Sequence, residues 1–116
     1  MVQRTMTEQA FFILTALVDG PRHGYGIVAT VAELSDGRVE LKVGTLYGVL
    51  DRLVVEGLVE LDREEAHQGR LRRYYRITDG GIHDLAQEAD RQAANARAAS
   101  SRLRAYRPAR STGGAT

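Results

Sequence analysis

Cysteine is absent from the 116 residues. That excludes disulfides and thiolate metal centres, and it fits a reducing, cytoplasmic setting. No stretch approaches the ~18 consecutive apolar residues of a membrane span. The opening MVQRTMTEQAFFIL carries Glu8 ahead of its apolar run and has no small-residue cleavage site, so it does not read as a secretion signal. The expectation is a soluble cytoplasmic chain with no membrane partner. A Ser/His/Asp constellation, a phosphate loop and a Cys nucleophile are also missing, so nothing argues for an enzyme or a cofactor. His67 with Glu64 and Glu65 comes nearest to a metal cluster. Its spacing is poor for a helix and no cysteine supports it, so it reads as a solvated loop and no metal is expected.

Acid is missing locally rather than globally. The net charge is +1, yet residues 91–110 hold six arginines and no acid. Residues 68–76, QGRLRRYYR, hold Arg70, Arg72, Arg73 and Arg76, again with no acid. The acids gather just before, where residues 59–67 carry Glu60, Asp62, Glu64 and Glu65 against Arg63 alone. A near-neutral chain of this kind can present strongly basic edges. Its apolar fraction of 43% supports one small core, which association with a second chain would help to stabilise.

Hydrophobic spacing then gives the elements. Thr5 and Glu8 have capping-box spacing ahead of a helix whose apolar face is Ala10–Leu14 with Leu17 and Val18. Gly20-Pro21 stops it. A second helix is expected from about His23 to Leu34, with Tyr25, Val28 and Val31 about a turn apart. Ser35-Asp36-Gly37 is a turn signal, and Val39-Glu40-Leu41 alternates like one short strand. A third helix is expected from Val43 to Glu56, burying Leu46, Val49, Leu50, Leu53 and Val54 and ending at Gly57. Residues 58–61 and 72–77 read as strands of a hairpin, with the polar segment 64–70 as its loop.

Thr78 looks like the N-cap of a last helix. Ile82, Leu85, Ala86, Ala89, Ala93, Ala96, Ser100 and Leu103 form a stripe along it. Running to Tyr106, this helix would span ~40 Å, which is long for so small a domain. Its stripe needs a surface that a partner chain would supply. Three helices followed by a hairpin make the winged helix-turn-helix plan. The expected fold class is therefore mainly α (α+β): a winged helix-turn-helix over residues 1–78, a long C-terminal dimerisation helix over 79–107, and a disordered tail over 108–116.

Four pieces, in order, carry a family resemblance: His23-Gly24-Tyr25-Gly26-Ile27, Gly44–Leu53, Glu56-Gly57-Leu58-Val59 and Arg73-Tyr74-Tyr75-Arg76-Ile77-Thr78. Together they resemble the PadR family of transcriptional regulators over about residues 7–85, in the short form with a single C-terminal helix. The resemblance implies a dimeric winged-helix DNA-binding protein, usually a repressor, released by a small effector or a stress signal. Family members control phenolic-acid detoxification, drug efflux and other responses. Two departures stand out. Where the family often has a small polar residue ahead of the reading helix, this chain has Lys42, which cannot cap and sits at the positive end of a helix. The chain also lacks tryptophan, so it cannot stack planar drugs on a tryptophan of the last helix as the best-known drug-binding members do.

Read in that light, the third helix is the expected reader of the major groove. Gly44 permits close approach and Thr45 can touch a base edge. Lys42 stands at the helix entry, and a DNA phosphate there would reverse its unfavourable placement. Tyr47 either donates to a phosphate or packs on the second helix. Tyr25 either meets a phosphate or joins the core, and His23 reads as a turn or capping residue. Arg52 lies two turns on, beside Asp51 and Glu56, and is left out of the site. In the wing, Gln68, Gly69 and Arg70 form the tip, which suits a narrow minor groove, and Arg72 tracks the backbone. Alternation puts Arg72, Tyr74 and Arg76 on one strand face and Arg73, Tyr75 and Ile77 on the other, with Arg73 or Arg76 open to pairing with Glu60, Asp62 or Glu64. The expected dimer interface is Ile82, Leu85, Ala89, Ala93, Ala96 and Leu103. The partners implied are double-stranded DNA with a pseudo-palindromic operator, a second copy of the chain and a small-molecule effector. The alternative is a winged-helix protein-interaction module without specific DNA binding, whose basic last helix docks on an acidic surface.

Overall fold

The computed structural model describes residues 6–109. The order is α1 (Glu8–Leu17), β1 (Arg22–His23), α2 (Gly24–Leu34), α3 (Val43–Val55), β2 (Val59–His67), β3 (Arg70–Ile77) and α4 (Asp79–Ala105). Three helices pack around one apolar cluster, an antiparallel sheet in the order β1-β3-β2 closes one side, and α4 leaves from the base of the sheet.

The N-cap of α1 is Thr7, whose hydroxyl accepts from the Ala10 amide at 3.1 Å. The capping box expected from Thr5 is therefore not the start: Glu8 is the first helical residue, and Thr5 lies outside the described residues. Ile13, Leu14 and Leu17 are buried, while Phe11 and Phe12 meet edge to face at 5.5 Å. In α2 Gly24, Ile27 and Val31 are buried and Val28 packs against the core, so of the expected Tyr25, Val28 and Val31 only Tyr25 turns outward, and it is exposed. In α3 the buried stripe is Leu46, Leu50 and Leu53 with Val49 partly covered, whereas Val54 faces outward.

The short strand expected at 39–41 does not form. Val39 and Leu41 do point inward, but the Val39 amide is taken by the Ser35 hydroxyl at 2.9 Å and no strand lies alongside. The third strand is instead Arg22–His23. After the Gly20-Pro21 break, the Arg22 guanidinium donates to the Ala16 carbonyl at 2.7 Å and pins the chain beside β3, where Arg22 pairs with Tyr75 and His23 with Tyr74.

The hairpin is longer than expected because residues 64–67 and 70–71 are strand, not loop. Its turn is only Gln68 and Gly69, with φ of 50° and 79°. Two left-handed residues make the primed turn whose twist matches a tight hairpin. A bulge between Leu61 and Arg63 shifts the register, so that Arg63 lies opposite Tyr74 with its guanidinium 4.0 Å over the ring.

Gly57, with φ 79°, ends α3: Leu58 donates to the Leu53 carbonyl at 2.9 Å and Gly57 to that of Val54 at 3.0 Å. These are the two bonds of a Schellman stop. Thr78 then caps α4 as expected, accepting from the Gly81 amide at 3.0 Å while donating to the Gly57 carbonyl at 2.6 Å. The helix ends at Ala105, one residue short of the expected Tyr106. Of the expected tail, residues 110–116 lie outside the described residues.

A methyl group added at Gly81 would stand 2.2 Å from the Leu58 carbonyl oxygen, whereas one added at Gly48 would meet nothing within 4 Å. Gly81→Ala is therefore expected to cost roughly 1–3 kcal/mol by overpacking against backbone. Gly48→Ala should raise stability by about 0.5–1 kcal/mol, since glycine is costly inside a helix. Urea denaturation of both variants checks the pair.

Candidate nucleic-acid interface

An open groove of about 780 Å³ runs between the starts of α2 and α3 and the outer half of the wing. His23, Gly24, Tyr25 and Tyr47 line it from the helices, and Arg70, Arg72 and Gln68 are among the wing residues that face it. The fold thus brings together five of the residues singled out in the sequence: Tyr25, Tyr47, Gln68, Arg70 and Arg72. Tyr25 is 70% exposed, so the core-packing alternative for it does not hold. Tyr47 packs on the second helix and is also open to the groove. Its hydroxyl lies over Gly24, where an added methyl would stand 2.6 Å away, yet the side chain remains 36% exposed on the groove.

Lys42 is the N-cap of α3, exposed and without any side-chain capping bond. The first amides of α3 therefore open onto the surface beside a cation, an arrangement that favours an anion and not helix stability. Gly44 is exposed, and nothing in the protein requires a glycine there. Thr45 is set apart from the groove. It lines a second hollow of about 390 Å³ on the opposite flank of α3, with Met6 and Ala10 of the α1 region, Arg52, and Asp84 of α4. Gly69 forms the turn at the wing tip.

The acids of β2 sort the wing arginines. Arg76 pairs with Glu60 at 2.6 Å, Arg73 with Glu64 at 3.1 Å, and Arg63 with Asp62 at 2.8 Å and Glu65 at 2.7 Å. The hydrogen bond from Arg63 holds the Glu65 carboxyl below its ordinary value, and the one Arg73 donates to Glu64 holds the Arg73 guanidinium above its own. Arg70 and Arg72 are in no ion pair among the described residues. Arg72 lies 3.4 Å from His23 Nε2.

His23 is the groove residue whose position the sequence did not reveal. It was expected to cap, and it does, its Nδ1 accepting from the Gly26 amide at 3.3 Å. It also faces the wing, its ring edge-on to Tyr74 at 5.4 Å. Only the pairing of β1 with β3 places it there, and a two-residue strand leaves no periodic signal. Burial, then Arg72, then His67 lower its pKa from the ordinary 6.5.

In the expected interface along α4, Ile82, Ala89, Ala93, Ala96 and Leu103 are exposed. Leu85 differs. It is only 9% exposed and belongs to the chain's own core, because it lies on the face of α4 that packs back on the three-helix body.

Three helices, a twisted hairpin and a helix entry open to anions define a winged helix-turn-helix fold of the kind used to regulate transcription. The chain belongs to the PadR-like family of transcriptional regulators, whose family model matches residues 13–87. It is 40% identical over 77 residues to an uncharacterized 37.1 kDa protein in a Streptomyces fradiae transposon, a match covering 66% of this chain and 21% of that one. The chain spans 21% and 63% of the lengths of the two curated relatives it matches. A PadR family transcription regulator from Clostridium difficile is 25% identical, with a TM-score of 0.70 over 84% of this chain and 99% of that one. Bacillus subtilis PadR, solved in complex with operator DNA, is 26% identical, with a TM-score of 0.59 over 66% of this chain and 44% of that one. The final helix and the wing fit the fold of these regulators, and the family is one of regulators rather than enzymes.

Because the native state favours neutral His23, the sign of its pH effect follows. Its contribution is intact above the unfolded value of 6.5 and is lost as pH falls through and below it. His23→Asn keeps an acceptor for the Gly26 amide and removes the titration. Between pH 7.5 and 5.5 the wild type should lose more stability than this variant, as measured by denaturant midpoints at each pH. Parallel losses would show that His23 is not the group responsible.

Proposed function

We propose that the chain is a cytoplasmic, homodimeric, sequence-specific DNA-binding repressor, released by a small-molecule effector. The observation that carries this reading is the groove that gathers Tyr25, Tyr47, Arg70 and Arg72 beside the uncapped, lysine-flanked start of α3. That α3 presents Gly44 and Thr45 outward, and that a DNA-bound relative shares the fold, supports it further.

On this reading α3 enters the major groove by its first turn, the usual geometry for a recognition helix. Gly44 lets the backbone come close, and Thr45 meets a base edge or a thymine methyl. Lys42 and the hydroxyls of Tyr25 and Tyr47 hold phosphates on either side. The wing tip, Gln68-Gly69-Arg70, reaches the neighbouring minor groove, and Arg72 follows the strand between. Two copies joined through α4 set their reading helices one DNA turn apart, about 34 Å, which calls for a pseudo-palindromic operator. Occupancy of that operator blocks transcription of a stress, detoxification or efflux gene. The alanine-rich stripe of α4 leaves room between paired helices for an apolar effector, which would favour one dimer arrangement over another and change the spacing of the readers.

Arg70→Ala and Lys42→Ala should each weaken binding to any duplex and lower the salt slope by about one unit. Arg76→Ala, which removes a cation already paired with Glu60, should leave the slope unchanged. Fluorescence anisotropy across a salt series on a generic duplex and on the protein's own upstream DNA measures both. Slopes unmoved by the first two changes would remove those residues from the interface. A shallow wild-type slope would favour a protein-interaction module instead. The effector claim is checked by adding planar phenolic and cationic compounds to the DNA complex; it fails if none alters affinity while α4 proves tightly packed along its length.

A further inference from the structure

His23 faces two hydrogen-bond donors and can accept from only one. The Gly26 amide lies 3.3 Å from Nδ1, and the Arg72 guanidinium lies 3.4 Å from Nε2. A neutral imidazole has one accepting nitrogen and one donating nitrogen. The two donors differ in freedom. The Gly26 amide is fixed by the first turn of α2, and leaving it bare forfeits the helix cap. Arg72 reaches its place on a long side chain from β3 and can turn away. The accepting nitrogen is therefore Nδ1, and Nε2 carries the proton. Burial, then Arg72, then His67 lower the His23 pKa from 6.5, so at neutral pH the ring is uncharged and Nδ1 keeps its lone pair.

An Nε2–H and a guanidinium thus converge, a pair that calls for a shared acceptor. The nearby acids are engaged elsewhere. Glu65, opposite Arg72 in the strand pair, bonds Arg63 at 2.7 Å, and Glu64 bonds Arg73 at 3.1 Å. Both His23 and Arg72 line the open groove, together with Tyr25 and Tyr47. An oxyanion set about 2.8 Å from each nitrogen would accept from both, at the usual length of a charge-assisted bond. Resting on the DNA-binding reading above, we infer that His23 Nε2 and Arg72 share one phosphate oxygen of the duplex backbone. The two nitrogens of His23 then have separate tasks: one closes α2 and the other holds DNA. His23 comes from β1 and Arg72 from β3, so a single phosphate ties the entry of α2 to the wing.

A free phosphate ester offers the same oxygens. The duplex suits the site better because the clamp is one station in a longer line of donors. The exposed side chains of Tyr25 and Tyr47 and, further out, Arg70 line the same groove of about 780 Å³, which a small ester would leave mostly unused. The two halves of the clamp also leave different signatures. Arg72 brings a cation and releases a counterion on binding, whereas a neutral Nε2–H adds affinity without one.

His23→Asn keeps an acceptor for the Gly26 amide but is too short to replace Nε2–H. On a generic duplex at pH 7.5 it should weaken binding about fivefold with the salt slope unchanged. Arg72→Ala should weaken binding about tenfold and lower the slope by about one unit, and the double change should stay within about twofold of Arg72→Ala alone. Nitrogen-15 NMR of the imidazole rings, with His23→Asn to assign the signal, should show a proton on Nε2 and none on Nδ1. That Nε2–H signal should shift when duplex is added to the wild type and stay nearly still in Arg72→Ala. Losses that multiply in the double variant, unchanged affinity in His23→Asn, or a proton on Nδ1 would overturn the shared clamp while leaving DNA binding in place. Inorganic phosphate at millimolar levels and constant ionic strength should leave the duplex bound; if it moves the same signal and expels the duplex, the ligand is a free phosphate and the duplex assignment is overturned. A wild type without a steep salt slope on any duplex would instead overturn the DNA-binding reading, and this inference with it.

Discussion

The threonine at the foot of the wing ties three elements into one body. Thr78 donates its hydroxyl proton to the Gly57 carbonyl just past α3, accepts from the Gly81 amide in the first turn of α4, and through its own amide binds the Leu58 carbonyl at 3.0 Å. A cap of this kind contributes about 1 kcal/mol. Its geometric effect is larger than its energy. The stop of α3, the first residue of the hairpin and the departure of α4 are fixed relative to one another within a few residues, and Gly81 is small because the Leu58 carbonyl lies where its side chain would be. The helix proposed to read DNA and the helix proposed to hold the dimer therefore cannot move independently.

The wing shows how a nearly neutral chain makes a cationic edge. The ion pairs along β2 and β3 are all at least partly exposed, and pairs of that kind add at most about 1 kcal/mol each. Their consequence is selection. By neutralising Arg63, Arg73 and Arg76, the acids confine available positive charge to Arg70 and Arg72, next to the groove. Past the bulge at Asp62, Glu64 lies opposite Arg73 and pairs with it, while Asp62 and Glu65 bond Arg63 of their own strand.

Much of this was legible in the sequence because it rests on local chemistry. Thr78 and Gly57 announce helix ends, the leucine spacing of α3 announces a buried stripe, and the order of elements announces the fold. Family resemblance added the grouping of Tyr25, Tyr47 and the wing arginines, which no spacing rule supplies. What escaped was set by tertiary pairing. The two-residue strand at Arg22–His23 exists only because β3 lies beside it, whereas the alternating spacing falls at 39–41, where burial alternates without a partner. The extra length of the hairpin was hidden because a charged strand reads as a loop until its cross-strand partners are known. Thr45 falls on the far flank of α3 from Tyr47, a matter of helix rotation that sequence proximity conceals.

At 1.5 Å per residue, α4 is a rod of about 40 Å hinged on a stiff joint. A tilt of about 5° at that joint sweeps its far end through roughly 3.5 Å, more than half a helical turn. In the proposed dimer the same lever would run in reverse with gearing: a slip of a few ångströms between two such rods would re-aim each proposed reading head by only a few degrees. Such an assembly would have a coarse input and a fine output, suited to adjusting the fit between two heads and one duplex by small increments.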